Sequence, residues 1–236
     1  MSLLEVRGLS AGYGAVQVLW DVDLTIEARQ IVALVGANGA GKTTLLRAIS
    51  GMIPSRRGQI RFLDHDITGQ SIEAIVDLGV AHVPEGRRLF SGLTVRENLL
   101  LGGWRRNNRE LGPMLELFPV LGQRLNQVAS TLSGGEQQMC AIARGLMGRP
   151  ELLLIDELSL GLAPVVVKRL VPMLSSVAEA GVGVLLIEQF AHVALGLANT
   201  AYVLEGGRVR YHGTAAELRD DPDILRSAYL LRERPR

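Results

Sequence analysis

Cys140 is the only cysteine in 236 residues. No disulfide can form within the chain, and a reducing compartment fits. Aromatic residues make up 4%, too few for a platform on which nucleic-acid bases stack. Excess charge of either sign is also missing. Lysine plus arginine number 25 against 24 acids, and the net charge of +1 gives no general attraction to DNA, RNA or anionic lipid. No apolar run approaches the ~18 residues of a membrane-spanning helix. The start, MSLLEVRGLS, has no basic stretch followed by an apolar one, so no signal peptide is expected. Attachment to a membrane would have to come through partners. The four histidines, His65, His82, His192 and His212, show no metal-ligand spacing and are expected on the surface or satisfied in the core. There is no internal repeat, low-complexity segment or flexible linker.

Apolar residues are plentiful, at 47%, and suffice for one large domain or one domain with an insertion. Three short runs, IVALVG (31–36), ELLLID (151–156) and VGVLLIE (182–188), are apolar throughout rather than alternating. Strands of a parallel sheet covered on both faces read this way. KTTLLRAIS and APVVVKRLVPMLSSVAEAG follow the first two and predict crossover helices. LLEVRGLSAGYG and VQVLWDVDLTIEARQ alternate and predict a small antiparallel sheet at the start. From about residue 90 to 148 the pattern is helical and reads as an insertion. TAAELRDDPDILRSAYL predicts short helices, with Asp220 and Asp221 as cap candidates before Pro222.

GANGAGKTT comprises Gly36, Ala37, Asn38, Gly39, Ala40, Gly41, Lys42, Thr43 and Thr44, and fits the phosphate-loop pattern between a strand and a helix. Its backbone N–H groups and the helix N-terminus would surround phosphate oxygens. Lys42 would reach the β- and γ-phosphates, and the Thr43 hydroxyl a Mg²⁺ ion. ELLLIDE ends in Asp156 and Glu157. Adjacent side chains leave a strand in opposite directions, so Asp156 is expected to hold a Mg²⁺-bound water and Glu157 to polarise the attacking water. A second Ser-Gly-Gly turn, in LSGGEQQMC (132–140), opens a predicted helix with no cation close behind it. Two cradles cannot usefully hold one phosphate from the same side, so the second is expected to face a nucleotide held by another molecule. The competing reading is a helix start with no ligand.

The order and spacing of GANGAGKTT, LSGGE and ELLLIDE resemble the ATPase subunits of ABC transporters, and the resemblance covers essentially the whole chain. It implies a P-loop NTPase fold, with a RecA-like parallel α/β core, an N-terminal antiparallel β-subdomain and an inserted helical subdomain, as one domain over 1–236. It implies that ATP and Mg²⁺ bind, that two such domains pack head to tail, and that Ser133, Gly134, Gly135 and Glu136 act in trans on the partner's ATP. The partner ATPase is a second subunit or a second copy. The resemblance also implies two membrane permease subunits and, indirectly, an extracytoplasmic solute-binding protein, with this chain on the cytoplasmic face of the membrane and no nucleic acid. Tyr13 stands where such proteins stack an aromatic on adenine. HVPEGRRLFSGLTVRENLLLGG (82–103), LSLGLAP (158–164) and LLIEQF (185–190) look like the LivF-type ATPase of branched-chain amino-acid uptake; urea and short-chain amide importers carry a sister subunit.

Against the wider family, Glu85 replaces a glutamine that contacts metal and water, and Gln189 a histidine that reads the γ-phosphate. A carboxylate still binds Mg²⁺, whereas a neutral amide donates a hydrogen bond but carries no charge. Leu158, Leu162 and Phe190 also depart from the common pattern, and Leu158 and Phe190 are read as packing changes. Arg87 and Arg88 lie in the segment that touches the membrane subunit in such proteins; a solvated pair is the alternative. Arg105, Arg106 and Arg109 are expected on a solvated face. A soluble ABC ATPase acting on DNA or ribosomes would need tandem domains or long coiled coils, for which there is no room. A GTPase or kinase switch would need a base-reading motif that is missing.

Overall fold

A computed structural model describes residues 2–221. Two long strands, β1 (Ser2–Tyr13) and β2 (Val16–Glu27), pair antiparallel. Their inward faces carry Leu4, Val6, Leu9 and Ala11, and Leu19, Val22, Leu24 and Ile26. Register shifts between Val6 and Leu9 and again near Ala11 break strict alternation, as bulges do. The wholly buried β3 (Ile31–Val35) leads into helix α1 (Lys42–Ile49). Then β4 (Ser55–Phe62) and β5 (His65–Asp66) complete a four-stranded antiparallel sheet in the order β2-β1-β4-β5.

Helix α2 (Ile72–Leu78), capped by Ser71, precedes the short strand β6 (Val80–Val83). The next stretch holds α3 (Val95–Gly102), α4 (Gly112–Leu117), α5 (Pro119–Gly122) and α6 (Gly134–Leu146), with 3₁₀ turns at Trp104–Arg106 and Ala129–Thr131. Strand β7 (Leu152–Asp156), helix α7 (Pro164–Glu179), strand β8 (Gly183–Glu188), helix α8 (Ala191–Leu195), strands β9 (Thr200–Glu205) and β10 (Arg208–Thr214), and helix α9 (Ala215–Asp220) follow. The second sheet runs β10-β9-β3-β8-β7-β6. Its five inner and edge strands from β9 to β6 are mutually parallel, and β10 is antiparallel. This is the expected α/β class.

Period-two alternation divides each central strand between two cores. Ile31, Ala33, Val35, Leu153, Ile155, Val184 and Leu186 join Met139, Cys140, Ala143 and Leu170 in one cluster. Val32, Leu34, Leu152, Leu154, Leu185 and Ile187 join Leu9, Leu24, Leu45 and Phe62 in the other. The sheet is therefore covered by helices on one face and by α1 and the antiparallel sheet on the other, which is why its strands carry no polar face. Helix α6 shares the first cluster with β7, so the helical stretch is cored in part by the sheet itself.

Arg105, Arg106 and Arg109 are exposed, as expected. Two of them are also paired: Arg105 Nε and Nη2 donate to the Asp77 carboxylate at 2.8 and 2.5 Å, and Arg106 donates to the Asp77 carbonyl at 2.7 Å. These bonds tie the 3₁₀ turn to the end of α2. His82 is neither at the surface nor satisfied. Both ring nitrogens are buried without a partner, and burial, with Arg47 nearby, drives its pKa down to about 4. Asp220 is the last residue of α9 and Asp221 its C-cap, while the start of any following helix lies outside the described residues. Among those residues, no helix is long and apolar enough to cross a membrane.

Candidate nucleotide site

The loop between β3 and α1 lies at the carboxyl edge of the parallel sheet, where open α/β sheets bind ligands. Gly36 passes so close to β9 that a Cβ there would stand 2.2 Å from the Leu204 carbonyl oxygen, so only glycine fits. Helix α1 begins at Gly41, with no side-chain cap and no acid in its first turn. Its first amides are left to an anion. The Lys42 ammonium is 5% exposed and curls back over the loop, donating to Gly36 O at 2.8 Å and Ala37 O at 3.3 Å. A cavity of about 270 Å³ opens here, lined by Val18, Asn38, Gly39, Gly41, Lys42, Thr43, Thr44, Glu85, Glu157, Leu160 and Gln189. Tyr13 is not among them. Its hydroxyl accepts from Arg47 Nη1 at 2.9 Å, and the guanidinium lies 5.9 Å from its ring centroid.

Three neighbouring strand ends, those of β6, β7 and β8, supply the acids. The Thr43 hydroxyl donates to Asp156 Oδ1 at 3.3 Å. Burial raises the pKa of Asp156, opposed first by the Thr43 bond. Glu157 lies just past β7 rather than within it, in the left-handed conformation at φ 57°. Strand alternation therefore does not separate the two acids; a backbone turn does, at the cost of strain. Glu157 Oε2 accepts the Gln189 N–H at 3.3 Å, and Oε1 lies 3.9 Å from Lys42 Nζ. Burial raises the Glu157 pKa and Lys42 pulls it back; burial lowers the Lys42 pKa, with Glu157 and then Asp156 opposing. Glu85, exposed on the loop after β6, faces the same cavity.

One residue here was not foreseen. Glu188 ends β8 fully buried, and its two oxygens accept the Ser159 N–H and hydroxyl, both at 2.7 Å. It fixes the start of the loop after Glu157. Desolvation pushes its pKa up to about 7, against the two Ser159 bonds. The signal in the sequence was an acid closing an otherwise apolar strand. Leu158 is wholly buried in the helical-side core, a packing role, whereas Phe190 is half exposed and tilts against His192.

Ser133, Gly134, Gly135 and Glu136 are absent from the cavity lining. They open α6 in a capping box: Ser133 Oγ accepts from Glu136 N at 3.4 Å, and Glu136 Oε2 accepts from Ser133 N at 2.8 Å and from Oγ at 2.7 Å. Arg124 pairs with Glu136 at 3.4 Å. A Cβ on Gly135 would come within 2.5 Å of Val166 Cγ1, so glycine here lets α6 approach α7. Arg87 is half-buried and donates to Gln137 Oε1 at 3.1 Å.

A family model described as ABC transporter matches residues 19–159, from β2 through the phosphate loop and α6 to the loop held by Glu188. This chain is an ABC transporter ATPase. Among curated relatives, the ATPase is 45% identical over 232 residues to the high-affinity branched-chain amino acid transport ATP-binding protein BraG of Pseudomonas aeruginosa, covering 97% of this chain and 99% of that one. It is 35% identical to the probable branched-chain amino acid transport ATP-binding protein LivF of Archaeoglobus fulgidus, covering 92% and 94%. Among solved structures, an ATP-binding subunit of an ABC transporter superposes with a TM-score of 0.80 at 33% identity, over 97% and 96% of the two chains. A nucleotide-free ATP-binding cassette shares the fold at a TM-score of 0.86 and 22% identity, over 95% and 98%.

Proposed function

We propose that this ATPase, a single domain over 1–236, powers an importer of branched-chain amino acids from the cytoplasmic face of the membrane, clamping ATP between its phosphate loop and the signature of a second ATPase domain. The observation that carries this reading is the separation of the two cradles. The cavity gathers Lys42, Thr43, Glu85, Glu157 and Gln189, while the signature opens a different helix outside it. The cargo rests on the BraG and LivF relatives.

An all-oxygen set suits Mg²⁺. The Thr43 hydroxyl and Asp156 carboxylate are already in contact, with Glu85 on the cavity wall, and these three would hold the ion, which supplies charge neutralisation at the phosphates. Lys42 exchanges its bonds to the loop carbonyls for phosphate oxygens. Glu157, raised in pKa by burial and oriented by Gln189 N–H, takes the proton of the attacking water. Gln189 offers its amide to the γ-phosphate, and Tyr13 swings from Arg47 to the adenine. Ser133 and the amides of Gly134 and Gly135 complete the partner's site. A groove of about 330 Å³ lined by Val76, His82, Phe90, Leu101 and Arg144 receives a membrane permease subunit. Light scattering of the Glu157→Gln chain tests the clamp: ATP should double the mass and ADP should not. No mass change with ATP, for this chain alone or mixed with a candidate second ATPase subunit, sinks it.

A further inference from the structure

The signature turn lacks a cation in its own sequence, and what it does contain works against a phosphate. Glu136 places a carboxylate on the Ser133 N–H and hydroxyl. Arg124 offsets that charge from the far side at 3.4 Å. The structure brings a second arginine from elsewhere. Arg87 lies two residues after Glu85, in a loop where Gly86, Arg87 and Arg88 all have positive φ, at 77°, 65° and 46°. Consecutive left-handed residues other than glycine are costly, and the loop is held by its contacts. Arg144 Nη2 donates to the Arg87 carbonyl at 3.4 Å, with its guanidinium over the Phe90 ring at 5.5 Å. The bend turns the Arg87 side chain onto the first turn of α6.

Its guanidinium divides two tasks. Nη1 donates to Gln137 Oε1 at 3.1 Å, which fixes the plane. Nη2 lies 3.1 Å from where a Cβ of Gly134 would be and 3.7 Å from that of Gly161, and among the described residues it donates to no acceptor. It therefore looks out between the signature turn and the loop after β7. We propose that Arg87 is a phosphate-contacting residue acting in trans: it supplies the signature cradle with the positive charge its own sequence lacks, by donating Nη2 to the γ-phosphate held by the partner's Lys42. This rests on the clamp proposed above. The missing side chain at Gly134 leaves room for that guanidinium, which a Cβ would crowd at 3.1 Å. The loop also carries Glu85, so one five-residue bend serves the chain's own site and its partner's.

The test uses the full chain in the Glu157→Gln background, with light scattering across an ATP series and fluorescent ADP binding at a protein concentration that keeps it monomeric. Arg87→Ala and Arg87→Gln should each raise the ATP concentration for half-dimerisation tenfold or more, the scale of a lost charge-assisted hydrogen bond. Arg87→Lys should recover most of it. ADP binding and the thermal midpoint should match the parent in all three. If Arg87→Ala or Arg87→Gln dimerises as the parent does, Arg87 has no such role. If Arg87→Gln retains dimerisation where Arg87→Lys loses it, the side chain merely braces Gln137. If the Glu157→Gln parent itself never dimerises, the clamp fails first and takes this inference with it.

Discussion

Replacing Glu188 by glutamine should change how stability depends on pH, and the size of the change follows from burial. The folded chain holds this carboxyl wholly inside the protein and raises its pKa from 4.5 to about 7. A raised pKa means the folded state binds the proton more tightly. The stabilisation is complete below pH 4.5 and is lost as pH climbs through about 7. At about 1.4 kcal/mol per pKa unit, the loss is about 3 kcal/mol, a large share of a typical total of ~5–15 kcal/mol. Glutamine reproduces the neutral acid's pattern, its oxygen accepting from Ser159 N and its nitrogen donating to Ser159 Oγ. Urea unfolding without nucleotide should thus find the Glu188→Gln chain close to the parent at pH 5 and more stable by up to ~3 kcal/mol at pH 8. Parallel pH profiles for the two proteins would refute the argument, because the carboxyl would then not be carrying the desolvation assigned to it.

Lys42→Ala should abolish detectable ATP turnover in a phosphate-release assay and weaken ATP binding, since its ammonium is the phosphate loop's charge; turnover at the parent rate would overturn the site. Glu157→Gln should cut steady-state turnover by about 10²–10⁴ while leaving nucleotide affinity intact in equilibrium binding. Ser133→Arg should leave monomeric ATP binding unchanged and abolish ATP-driven dimers; loss of binding in the monomer would place the signature in cis. Gly135→Val should lower stability by several degrees in a thermal melt, because a Cβ already meets Val166 at 2.5 Å and overpacking costs about 1–3 kcal/mol.

The central sheet could be read in advance because burial on both faces leaves a plain mark: IVALV, LLLID and VLLIE are apolar at every position but their ends. The other strands leave weaker marks. Strand β6 is four residues long, and β4 carries the exposed Arg56 and Arg57. The phosphate loop and the signature were legible because their chemistry demands fixed residue types at short range. Arg87 was not, since its partner Gln137 lies 50 residues away and only the fold joins them. The two acids of LLLIDE meet different neighbours, but not for the reason strand pleating suggests. Pleating does not turn Glu157 aside; a left-handed φ of 57° does, and nothing local marks it.

The catalytic groups hang from the carboxyl ends of β3, β6, β7 and β8, strands locked side by side by ladder hydrogen bonds. No separate scaffold holds them. Amides of those strand ends should exchange with deuterium only in the slowest, globally cooperative class, whereas those of α4, which holds no fully buried residue and supplies no group to the cavity, should exchange sooner.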